Sequence, residues 1–240
     1  MNIKIGLLVL LLFLLPGFKG KDKGGLQISF IPVFNGEPLI LNDRTYQTNQ
    51  GDAITIEQFK CYISGLKLTT EQGKAVKLPE YLLLNAEDPL SLINTFNFIP
   101  ADEYSVLEFN IGVDSTANVS GALEGALDPA NGMYWAWNTG YINAKLTGYS
   151  ENLNTLHHAF EYHIGGYMKP FNTLKTVKLK LNPLIISKDE PGKLNIYCDV
   201  SEWFKTPHSV SLSLINNVVL PDKNAMIISG NYADMFYVRK

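Results

Sequence analysis

The densest run of chemically capable side chains is Gly132–Met133–Tyr134–Trp135–Ala136–Trp137–Asn138–Thr139–Gly140–Tyr141. Trp135 and Trp137 stand two residues apart, so in an extended chain they share a face with Met133, while Tyr134 and Ala136 take the other. Two co-facial indoles with Tyr141 nearby can stack a sugar or a partner protein; the same pattern also describes a heavily packed core strand, and residue chemistry alone leaves both open. Four histidines are present, His157, His158, His163 and His208. His163 ends Phe160–Glu161–Tyr162–His163 and is followed by Ile164–Gly165–Gly166, where glycine lets another backbone or a ligand come close. Its imidazole is a nitrogen donor for a metal. His157 and His158 are neighbours, face opposite sides of an extended chain, and do not chelate one ion together.

Other chemistry is absent from the pattern. There is no Gly-x-Ser-x-Gly elbow, no phosphate-cradling glycine loop and no visible carboxylate pair, so the chain carries no catalytic constellation and is not read as an enzyme. Asp114, Asn118, Glu124 and Asp128 fall in a region rich in small and turn-forming residues, without EF-hand spacing, and turn chemistry accounts for them better than calcium.

Short alternating or β-branched runs must position these groups, because long 3.6-period stretches are missing. Strands are expected over Leu26–Phe34, Ala53–Leu68, Ala75–Leu78, Tyr81–Asn85, Tyr104–Val113, Trp135–Gly148, His158–Tyr162, Lys175–Leu181 and Leu194–Val200. A long loop from Asp114 to Asn131 precedes the tryptophan run. Ser209–Leu220 fits a short helix or a strand, and Asn231–Phe236 fits one helical turn. The expected fold class is all-β: a single antiparallel β-sandwich with long loops and at most short helical turns.

The start of the chain reads as a leader. Lys4 precedes an apolar run from Ile5 to Leu15, then Pro16–Gly17 breaks it. That is the layout of a secretory signal peptide, and ~11 apolar residues are too few to span a ~30 Å hydrocarbon layer. The expected organisation is residues 1–20 as signal peptide and 21–240 as one domain, exported to the periplasm or secreted, with no membrane span once the leader is cleaved. The 240 residues are 46% hydrophobic and 18% charged, with a net charge of −3, which supplies a core and argues against disorder and against nucleic acid as a partner. Cys61 and Cys198 are a disulfide-capable pair or two buried thiols, and the spacing does not choose between them.

The segments Phe59–Lys60–Cys61–Tyr62–Ile63–Ser64, Gly132 to Tyr141 and Phe160–Glu161–Tyr162–His163–Ile164–Gly165–Gly166, in this order, resemble the MbnP-like family. These are exported β-sandwich proteins related to the periplasmic methanobactin partner and to secreted copper-binding proteins of methane oxidisers. The likeness runs from about Leu26 to Phe236, and the ending Asn231–Tyr232–Ala233–Asp234–Met235–Phe236 is similar to members from the Bacteroidetes. The resemblance implies one copper ion held by histidines and a kynurenine made by oxidising a tryptophan. An intact indole gives a metal no in-plane lone pair, whereas the opened ring offers an amine and a carbonyl. The resemblance also implies that the oxidant comes in trans, from a di-haem cytochrome c peroxidase-like partner, since this chain has no Cys-x-x-Cys-His haem site. Carried over, the metal residues are His163, Trp135 or Trp137 as the oxidised ring with Trp135 favoured, and Met133 or Met168 as a soft donor for copper(I) in place of a second histidine that no motif assigns. Other members often continue to a Cys where this chain has Tyr167–Met168. The alternative implied by the residues alone is a secreted module that recognises a glycan or protein through Trp135, Trp137 and Tyr141.

Overall fold

The strand Ala53–Thr70 is the spine of the molecule. Its 18 residues pair with five other strands along their length, and Phe59, Cys61 and Ile63 turn inward with no exposure at all. The computed structural model describes residues 22–78, 81–137 and 140–239. The expected signal peptide lies outside them. Among the described residues, no helix is long and apolar enough to cross a membrane.

Two sheets carry the fold. The larger runs in the order Lys175–Ile186, Asp102–Ile111, Ala53–Thr70, Gly140–Tyr149, Ala159–Gly165, Asn217–Val218. The smaller runs Phe236–Tyr237, Gly192–Asp199, Lys23–Phe34, Glu37–Pro38, with Ile93–Pro100 also paired to Lys23–Phe34. Their facing sides build one core, as the alternating burial of Lys23–Phe34 requires. Phe30, Phe109 and Phe236 meet edge to face at its centre, with centroids 5.1–6.5 Å apart. This is the expected all-β sandwich. Most ladders are antiparallel, but two are not: Lys23–Phe34 runs parallel to Gly192–Asp199, and Asn217–Val218 runs parallel to Ala159–Gly165. Strands so far apart in sequence have no hairpin to set their direction, and long crossovers permit parallel pairing.

The C-terminal region differs from its sequence reading. The helix there is Lys223–Tyr232, ahead of the expected turn at Asn231–Phe236 and longer than a short helical turn. Asp222 caps it by accepting from the Ala225 N–H at 2.7 Å, and Ala225, Ile228 and Tyr232 form a buried stripe at helical spacing. Ser209–Leu220 is mostly turn, with a two-residue strand at Asn217–Val218. Cys61 and Cys198 face the core from opposite sheets as free, fully buried thiols. Burial pushes both thiols up, so they stay protonated and unreactive.

A second, smaller cluster sits on the outer face of the large sheet, built from Tyr62, Val113, Leu127, Met133, Trp135 and Tyr141 among others. The long 114–131 segment folds over the sheet here, which explains why Tyr62 is buried although it points away from the main core.

Candidate functional site

The tryptophan run is a hairpin rather than one continuous strand. Tyr134–Trp135 pairs with the start of Gly140–Tyr149, so that Trp135 lies opposite Gly140 and Tyr134 opposite Tyr141. The preceding loop clamps it. Asp114 caps the short helix Ser115–Val119 by accepting from Thr116 N and Ala117 N at 2.8 and 3.1 Å. Asn118 donates to the Val113 carbonyl at 2.9 Å and accepts from the Tyr141 N–H at 2.8 Å. The Tyr141 hydroxyl accepts from Leu123 N and donates to the Gly121 carbonyl. The loop's polar side chains are thus spent on turns and caps, as expected.

Within this clamp the expected residues separate. Trp135 and Trp137 do meet, with centroids 5.8 Å apart at 44°. Trp135 is 5% exposed and Trp137 is 64% exposed, so the second indole stands in solvent beside the first. Met133 has no exposure and Tyr141 is buried, so neither presents a surface to a ligand. Tyr141 is thus no part of an exposed recognition face.

The Trp135 ring lies directly on Gly165. A Cβ built there would stand 2.7 and 2.8 Å from the indole Cζ3 and Cη2 and 2.6 Å from the Tyr141 carbonyl oxygen. Gly165 is two residues beyond His163 on the strand Ala159–Gly165, where Phe160, Tyr162 and Ile164 face the core. By alternation His163 and Gly165 share the other face, about 7 Å apart along the chain. The sheet therefore gives His163 and the glycine on which the indole rests the same face.

His163 itself faces a polar trough of about 460 Å³, shared with Glu57, Gln58, Lys145, Thr147 and Glu161. Its cross-strand partner is Lys145, whose own partner on the other side is Lys60. Lys60 is neutralised by Glu87 at 3.5 Å, and Lys145 donates to the Gly132 carbonyl at 3.4 Å. Burial first, and then the Lys145 charge, push the His163 imidazole down to about 4. At neutral pH the ring is uncharged, and among the described residues it makes no hydrogen bond.

This has a measurable consequence. The folded ring holds its proton only below about pH 4, whereas the unfolded ring takes one up near 6.5, so the unfolded state binds more protons in between. Stability is full above pH 6.5 and falls as pH drops toward 4, by about 2 kcal/mol once the ring's partial exposure is allowed for. Urea titrations across that window should show this acid limb, and His163→Gln should flatten it; an unchanged slope would mean the ring is freely solvated.

The remaining histidines lie elsewhere. His157 and His158 form part of an exposed turn, Leu156–His158, with His158 Nδ1 2.7 Å from the Leu153 carbonyl oxygen. His208 is exposed beside the C-terminal helix and held through its backbone N–H by Asn231 at 2.9 Å. On the other side of Trp135 lies a cleft that sequence reasoning missed. It is about 520 Å³, lined by Trp135, Tyr167, Met168, Lys169, Phe171, Leu220 and two glycines, and closed by Pro221. Of its lining, the sequence points to Trp135 and Met168 as chemically capable residues, but not to their meeting in one cleft. The two segments that meet across the cleft lie some fifty residues apart and carry no periodicity.

The MbnP family model matches residues 23–226. The chain belongs to the MbnP family. Its fold is similar to that of MbnP from Methylosinus trichosporium, with a TM-score of 0.57 and 14% sequence identity over 85% of this chain and 83% of that one. At that identity the likeness speaks for the sandwich and not for individual side chains. A comparison with curated proteins finds no match. For this MbnP-family chain the described residues contain no group of three or more His, Cys, Asp or Glu side chains that could hold a metal ion.

Proposed function

We propose that this MbnP-family protein is exported to the cell envelope and binds copper beside Trp135, with His163 as its nitrogen donor. The observation that supports this reading is the seat of the Trp135 indole on Gly165, two residues from His163 on the same face. The donors on the His163 side suit copper in its soft, low-coordinate monovalent form: one neutral imidazole and an amine that exists only after Trp135 is opened.

The chain's own residues fit that conversion. Bound copper would supply a soft, redox-active ion. His163 stays unprotonated at neutral pH, so its lone pair needs no proton loss before use. Trp137, exposed and 5.8 Å from Trp135, is a ring through which electrons can leave the buried indole toward an oxidising partner in trans, a di-haem peroxidase-like protein. The Tyr62 hydroxyl is buried in the same cluster with no hydrogen-bond partner among the described residues, and a newly formed carbonyl or amine on residue 135 is the kind of partner that would suit it.

The test is intact mass, peptide mapping and copper content of protein isolated from its own host. The expected result is a tryptophan-to-kynurenine mass change at residue 135 and not at 137, one bound copper, and loss of copper with retention of the modification in His163→Gln. Unmodified Trp135 and no copper in protein from copper-replete cells would overturn the reading.

A further inference from the structure

We infer that the cleft on the far side of Trp135 is a binding site for a small flat aromatic ring bearing a negative charge. Its volume of about 520 Å³ falls in the ~300–1,000 Å³ range of small-molecule sites, and its lining has their usual make-up: apolar and aromatic walls with few polar groups. Trp135 forms one wall, Tyr167 and Phe171 supply further rings, and Met168 supplies a flexible thioether that adapts to a ring's edge.

Three observations select the ligand class. First, Met168 is 66% exposed and Leu220 is 48% exposed, and they leave an apolar rim wet around a concave floor. Such a rim marks a place that something covers. Secondly, Lys169 is the charged side chain of the lining and forms no ion pair with any described residue, so the cleft offers an unneutralised cation to an incoming anion. Thirdly, the side chains that reach the cleft are mostly rings and aliphatics, from Trp135, Tyr167, Phe171, Met168 and Leu220, which match the faces of a flat ring.

The wall is built in advance. Gly166 has φ +120°, and a Cβ there would stand 2.2 Å from the Phe171 carbonyl oxygen, so the loop doubles back tightly. Thr173 holds it shut: its N–H donates to the Gly166 carbonyl at 3.0 Å, its hydroxyl accepts from Asn143 at 2.9 Å, and its carbonyl accepts from the Tyr232 hydroxyl at 2.7 Å. A preformed wall lowers the ordering cost of binding.

The inference does not rest on copper, and the experiment uses metal-free full-length protein made without an oxidising partner. The probe is 1-anilinonaphthalene-8-sulfonate, with uncharged N-phenyl-1-naphthylamine as its match, followed by fluorescence titration. One saturable site is expected. Met168→Glu, at an exposed position, should abolish binding of the sulfonate. Tyr167→Ala should weaken both probes about tenfold, and Lys169→Gln should weaken only the sulfonate, by about fivefold. Near-ultraviolet circular dichroism confirms that each variant is folded. Binding that none of these substitutions alters would overturn the site; equal loss of both probes in Lys169→Gln, or no loss of either, would overturn the anionic class. Because the copper test reads mass and metal content instead, either idea can fail without the other.

Discussion

Gly165→Ala is expected to lower the unfolding free energy by about 3 kcal/mol and to expel the Trp135 indole from its seat. The backbone at Gly165 lies outside the left-handed region, so alanine has no conformational objection there; the cost is space alone. A methyl would meet a carbonyl oxygen of a paired strand at 2.6 Å and two indole carbons at 2.7 and 2.8 Å. The oxygen of Tyr141 is held in the ladder and cannot retreat, so the ring must go. Expulsion should appear as a red shift of tryptophan emission and a collapse of the near-ultraviolet signal. Copper and sulfonate-probe binding should fall together, since Trp135 stands between His163 and the cleft. Wild-type stability with an unchanged spectrum would show that the indole does not rest on this strand, and the side-by-side arrangement would be lost with it.

Much of this arrangement was readable from residue types. The residue types located the tryptophan pair and the strand carrying His163, although the single strand expected from Trp135 to Gly148 is broken by a turn after Trp135, and the turn-forming residues marked the loop that clamps them. Three things were not readable. The pairing of Leu26–Val33 with Gly192–Asp199 depends on packing between segments over 160 residues apart, for which no local pattern speaks. The row Lys60–Lys145–His163, which sets the imidazole's charge, depends on register across three strands, and a slip of one residue would dissolve it. The cleft depends on where a loop after Gly166 ends up against Leu220 and Pro221. The burial of Met133 was not readable for a related reason: sharing a face with Trp135 says nothing about which layer covers that face, and here Met133 packs in one cluster with Val113, Ala117 and Leu127.

The largest effect on stability is expected from the third tryptophan. Trp203 has no exposure, stacks on Tyr162 at 6.4 Å and 15°, meets Phe59 edge-on at 6.4 Å, lies 5.3 Å from Tyr232, and donates its indole N–H to the Met235 sulfur at 3.4 Å. It ties together the spine strand, the strand of His163 and the C-terminal helix. Trp203→Ala should cost about 4 kcal/mol, since it removes the ring's burial and leaves a cavity between rigid aromatic neighbours. Against a typical total of ~5–15 kcal/mol, that removes between about a quarter and four-fifths of the stability. Trp137→Ala, at a solvent-facing ring, should shift stability by no more than about 0.5 kcal/mol. Because Tyr162 is the immediate neighbour of His163, the Trp203 variant should also lose ligand binding in proportion to its unfolded fraction, and binding should return as a stabilising osmolyte refolds it. Urea midpoints for the two variants decide the matter: comparable losses would mean that the aromatic cluster is not what holds the His163 strand in place.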